Sequence, residues 1–166
     1  IPVEDSAGDK DQAVAAMTKL IDEDKVVAVI GPTLSSEALA ADPIAQESGT
    51  VVLGVSNTAN GLTTAQGMGD YVFRDSLPES AVIPGTIKQA TESLGLKKVA
   101  ILYGNDDAFT KSGYDIFKQS LTDNAVEITD EETFAKGDVD FNAQLTKAIG
   151  TEPDALVVSA LAAEAT

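Results

Sequence analysis

Short runs of β-branched and aliphatic residues recur along this chain, each followed by a stretch with helical spacing. That alternation constrains the fold more than any other feature. Lys25–Ile30 (KVVAVI) is a continuous apolar run ending at Gly31 and Pro32, the pattern of a parallel strand buried on both faces. Thr50–Val55 (TVVLGV), Lys98–Tyr103, Ala125–Phe134 and Ala155–Val158 read as further strands, and Tyr71–Arg74 (YVFR) as a short extended segment. Helices are predicted from about Asp9, which can cap a face made by Val14, Met17, Leu20 and Ile21, and from the hydroxyls of Ser35 and Ser36 to Gly49, with a bend at Pro43. Three more are expected: from Pro78 and Glu79 to Leu94, interrupted at Pro84 and Gly85; from about Ala108 to Leu121; and from about Asp140 to Ile149. Ile1–Glu4 reads as the tail of a strand, and the AQGMGD stretch (65–70) as loop.

Strands and helices in this order specify an α/β architecture with parallel sheets and right-handed crossovers. A seam near Arg74–Pro78 separates two strand-helix steps and a strand from a fresh series. Two lobes are therefore expected, residues 1–75 and 76–166, each with a Rossmann-like parallel sheet.

Composition decides which chemistry such a fold could carry. The 166 residues hold 27 acidic against 11 basic side chains, for a net charge of −16, and contain neither His nor Cys. Cys/His metal centres, cysteine nucleophiles and the Ser-His-Asp relay are thereby closed off. Arg74 is the single arginine, and the isoelectric point is near 4.1. Nucleic acid and anionic lipid are repelled rather than bound. No apolar run approaches the roughly 18 residues of a membrane span, so direct membrane insertion is not expected. The nucleotide-binding and hydrolase glycine motifs are absent, and Gly67-Met68-Gly69 does not follow a buried strand as a dinucleotide fingerprint must.

In open α/β sheets ligands sit beyond the carboxyl ends of strands, where the next helix offers unpaired amides. Three such ends stand out. GPTLSS (Gly31–Ser36) places two hydroxyls where a strand becomes a helix; there they could hold a carboxylate without any cation, or Ser35 could simply cap the helix. VSNTAN (Val55–Asn60) puts Ser56, Asn57 and Thr58 at the next strand end, as part of one polar wall or as a solvated turn. In YGNDDAFTKSG (Tyr103–Gly113), Asn105, Asp106 and Asp107 could bind a divalent cation, as in a receiver-like enzyme domain, or cap the following helix. The cap is the favoured reading, because a calcium loop needs a longer run of spaced oxygen ligands. Phe109 would then stand on the first helical turn.

Together these motifs resemble a known family. Lys25–Thr63 (KVVAVIGPTLSSEALAADPIAQESGTVVLGVSNTANGLT), YVFRD at the seam, KKVAILYGNDD, and TFAKGDVDFNAQLTKAIGTEPDALVVSA resemble the type I periplasmic binding proteins, in particular the branched-chain amino-acid receptors of ABC transporters. The likeness covers nearly the whole chain. It implies two α/β lobes that capture a small carboxylate ligand between them and present it to a membrane permease, in a periplasmic or cell-surface setting, with no cofactor, no metal and no catalysis. It also implies that the family's opening strand and helix, and the rest of the second lobe, lie outside these residues. Ser35 matches the family's serine for the ligand carboxylate, Ser56 and Thr58 match positions that hold the carboxylate and α-amino group, and Asn57 is carried over between them. Phe109 stands where members often have a cleft tyrosine, and Leu161 where many have another aromatic. Both changes leave the second-lobe wall apolar, so an aliphatic or aromatic acid without an amino group fits about as well as an amino acid. The same fold also serves ligand-sensing domains of receptors and regulators, which stands as the alternative function.

Overall fold

A computed structural model describes residues 1–64 and 68–165. They form two compact units, Ile1–Pro78 and Glu79–Thr166. Of the AQGMGD stretch read as loop, residues 65–67 lie outside the described residues.

Unit 1 carries a parallel sheet of three strands, β1 (Ala28–Ile30), β2 (Val51–Gly54) and β3 (Val72–Arg74), in the order β1-β2-β3. Helix α1 (Lys10–Thr18) starts at Asp9, whose carboxylate accepts the amides of Asp11 and Gln12, and runs into a π-helical turn at Lys19–Glu23. Helix α2 (Ser35–Ser48) follows β1 and ends at Gly49, which adopts the left-handed conformation (φ 73°) that a side chain would disfavour. Pro43 lies within α2 without ending it.

The register explains the core. Val29, Val52 and Val72 stand in one row across the sheet and pack against Ala13, Met17, Ile21, Ala41 and Ala45 from the helices. The neighbouring row, Ile30, Leu53 and Phe73, is 78%, 37% and 49% exposed. The expectation that KVVAVI is buried on both faces thus fails for β1, since among the described residues helices pack on one face of this sheet only. Ile1–Glu4 is no strand either; it is exposed and irregular, because no neighbouring strand supplies ladder partners.

Unit 2 has the strand order β5-β4-β6, all parallel: β4 (Lys98–Gly104), β5 (Glu127–Phe134) and β6 (Ala155–Ser159). Helices α3 (Glu79–Leu94), α4 (Ala108–Asp123) and α5 (Asn142–Gly150) complete it. The crossovers β4-α4-β5 and β5-α5-β6 run in opposite directions along the sheet, so right-handedness puts α4 and α5 on opposite faces. Val99, Ala100 and Ile101 are accordingly fully buried in the central strand. Ile83, Ile87, Leu121 and Val126 close the core on one side. Tyr103 and Tyr114 stack at 3.8 Å and hold α4 against β4.

Helix α3 is continuous through Pro84 and Gly85, contrary to the predicted interruption. Pro84 falls on the second turn, where it forfeits one backbone bond near the helix start, and burial of Ile83 and Ile87 holds the rest of the face in place.

Candidate functional site

At the carboxyl end of unit 1's sheet, neighbouring strands β1 and β2 deliver their two exit loops side by side. Ser35 is the first residue of α2, and the cap position belongs to Leu34. The amide of Leu34 is bonded by the carboxylate of Glu37 at 3.0 Å, a carboxylate that also takes the Ser6 hydroxyl at 2.6 Å. Ser35 is therefore relieved of capping. Its Oγ instead reaches across to the β2 exit loop and accepts the amides of Thr58 (3.2 Å) and Ala59 (3.1 Å). The residue is 2% exposed.

This geometry sets the chemistry of the hydroxyl. A serine oxygen has two lone pairs and one proton. With two amides on the oxygen, the proton is what remains to offer. No acceptor for it occurs among the described residues, and the amides of Ser35, Ser36 and Glu37 in the first turn of α2 likewise take no acceptor there. The cluster is thus a set of donors at the positive end of a helix dipole, suited to an acceptor-only group such as a carboxylate.

The loop itself is held from several sides. Ser56, exposed, donates to the carbonyl of Thr33 at 2.9 Å. Asn57 is 3% exposed; its Nδ2 donates to the carbonyl of Pro32 at 3.0 Å and its side chain lies on Gly54, where a Cβ would come within 2.6 Å of it. Asn57 therefore braces one exit loop against the other. Thr58 is half-buried, and its hydroxyl takes no partner among the described residues. From the segment after β3, Ser76 donates to the carbonyl of Asn57 (2.9 Å) and Arg74 Nη1 to the carbonyl of Ala59 (2.8 Å). Sequence reasoning missed both supports. Arg74 was visible as the lone arginine at the seam, whereas nothing in the sequence marked Ser76.

In unit 2 the corresponding edge carries Phe109 and Leu161. They follow the carboxyl ends of β4 and β6, which are neighbours in the sheet. Phe109, half-buried on the first turn of α4, is fixed through its amide to Asp107 at 2.8 Å. Leu161 opens a turn whose amides at Glu164 and Ala165 donate to its carbonyl. Ser159 ties the end of β6 to the first turn of α4, donating to the carbonyl of Thr110 at 2.9 Å.

The neighbouring acidic pair is committed to the backbone. Asp107 is the N-cap of α4, and the carboxylate of Asp106 accepts the amide of Lys136 at 3.1 and 3.0 Å. Among the described residues no group of three or more carboxylates is placed to hold a metal ion.

Comparison with known proteins agrees with this architecture. A family model described as periplasmic binding protein matches residues 1–166. An amino acid binding protein of Pseudomonas aeruginosa is 30% identical over 145 residues, covering 86% of this chain and 37% of that protein. The substrate-binding protein of a branched-chain amino acid transporter from Streptococcus pneumoniae, solved with isoleucine, superposes with a TM-score of 0.81 at 34% identity, over 93% of this chain and 43% of its own. The solute-binding protein of an ABC transporter from Rhodopseudomonas palustris, solved with 3,4-dihydroxybenzoic acid, gives a TM-score of 0.86 at 26% identity, over 98% of this chain and 44% of its own. The chain thus spans less than half the length of these relatives, and by match of model, sequence and fold it belongs to the type I periplasmic binding proteins, the family of the branched-chain amino-acid receptors.

Proposed function

We propose that this chain is part of the extracytoplasmic solute-binding component of an ABC transporter and binds a small carboxylate ligand without transforming it. The observation that carries the reading is the state of Ser35, whose oxygen is saturated by two amides so that its proton is left for an acceptor, beside the open first turn of α2. The two relatives solved with ligands bear on the same point, since isoleucine and 3,4-dihydroxybenzoic acid share a carboxylate and little else. In this reading Ser35 and Thr58 donate to the carboxylate, and Ser56 and Asn57 hold the loop. Release would be to a membrane permease.

Calorimetry on the full-length protein with L-isoleucine, L-leucine, 4-hydroxybenzoate and 3,4-dihydroxybenzoate tests the proposal. At least one acid should bind, its methyl ester should not, and Ser35→Ala should weaken the acid about tenfold or more, the loss of one hydrogen bond to a charged group. An unchanged affinity in Ser35→Ala would remove Ser35 as the anchor, and recognition of the ester would remove the carboxylate.

A further inference from the structure

The support that Ser76 gives to the β2 exit loop is more than mechanical. Its hydroxyl donates to the carbonyl of Asn57, and the N–H of that same peptide group, on Thr58, donates to Ser35 Oγ. Because a trans peptide is planar with its C=O and N–H pointing in opposite directions, the two bonds lie in line on one resonance-coupled unit. A donor on the oxygen withdraws electron density and strengthens the N–H as a donor, and a donor on Ser35 Oγ does the same for the Ser35 proton. The series therefore runs in one direction, Ser76 hydroxyl to peptide 57–58 to Ser35 hydroxyl, and ends at the group proposed above to meet the ligand carboxylate. Ser76 is half-buried, so its rotor is shielded in part from competing water. Arg74 acts beside it, holding the carbonyl of Ala59, whose amide is the second donor to Ser35.

We infer that Ser76 is a positioning residue for ligand recognition, acting on Ser35 through the peptide group between Asn57 and Thr58 without touching the ligand. The inference rests on the carboxylate reading for its consequence but not for its existence. The segment that carries the chain from unit 1 into unit 2 contains Ser76, so the strength of the anchor depends on a residue outside the two loops that form it.

The test uses isotope-labelled full-length protein. In Ser76→Ala the Thr58 amide proton should move upfield and its hydrogen exchange should quicken about tenfold, while amides in the core of unit 1, such as Val52, keep their protection; Ser76→Thr, which retains a hydroxyl, should restore the Thr58 signal. Affinity for whichever of L-isoleucine and 4-hydroxybenzoate binds should fall about fivefold in Ser76→Ala and recover in Ser76→Thr. A Thr58 amide indifferent to Ser76→Ala overturns the inference, as does a loss of affinity that Ser76→Thr fails to restore. Should neither acid bind, the carboxylate reading falls, and the amide signal alone still decides for or against the relay.

Discussion

Asp42 sits in the middle of α2 with 2% of its surface exposed, and its Oδ1 finds no partner among the described residues. Burial alone pushes its carboxyl up to about 7. A carboxylate taken from water without a partner is disfavoured, so the folded state keeps the proton that the unfolded chain, titrating near 4, has already released. Stability from this residue is therefore complete below about pH 4 and is lost as pH rises toward 7, with a full span of about 4 kcal/mol for a shift of some three units. Urea melts should show Asp42→Asn gaining on the natural chain between about pH 4 and pH 8, by roughly 2–4 kcal/mol at the upper end. Equal pH profiles for the two would mean that Asp42 is solvated. Gly113 presents a steric case: an added Cβ would lie 2.5 Å from Ser159 Oγ and 2.8 Å from Glu79 Oε1. Gly113→Ala should cost about 1–3 kcal/mol in thermal melts, through displacement of the bond that joins Ser159 to Thr110. Neither feature is readable from composition, because Asp42 is one acid among 27 and Gly113 one glycine among 13.

At the scale of elements, the signals that proved legible were local ones. Asp9 and Asp107 each precede a helix and cap it, and Gly49 ends α2, because a cap needs only a side-chain oxygen within two or three residues of a free amide. Asp107→Ala should lower stability by about 1 kcal/mol, and Asp107→Ser should recover most of it in a denaturant melt. A deficit that Asp107→Ser left untouched would argue against capping. The elements that were misread depend on neighbours instead. Ile1–Glu4 has the residues of a strand and no ladder to join, and Pro84 has the chemistry of a breaker in a helix whose buried face outweighs it. The same distinction separates β1 from β4. Both are continuous apolar runs, yet β4 lies at the centre of its sheet with a helix on each face, while β1 has cover on one.

For the molecule as a whole, charge and surface give two further expectations. A net charge of −16 on 166 residues repels itself in the compact state. Raising salt from about 10 mM to about 0.5 M shortens the screening length several-fold and should lift the melting temperature by several degrees; a flat response would show that the charges are already neutralised. The row formed by Ile30, Leu53 and Phe73 leaves an apolar strip on unit 1. The 166-residue chain should accordingly enhance the fluorescence of an apolar dye, and the double substitution Leu53→Thr with Phe73→Thr should remove most of that signal at a cost of under about 2 kcal/mol, since both side chains are already partly in water. What this sequence determined by itself was most of the succession of strands and helices, the caps at Asp9 and Asp107, the absence of His and Cys chemistry, and the family resemblance, because each is written in residue identities and short local patterns. Only the tertiary structure decided that the oxygen of Ser35 is taken by two amides from another loop, that Asn57 faces inward, and that Arg74 and Ser76 stand behind them. Those facts follow from β1, β2 and β3 lying side by side, and adjacency between strands separated by twenty residues or so is set by packing rather than by any local pattern.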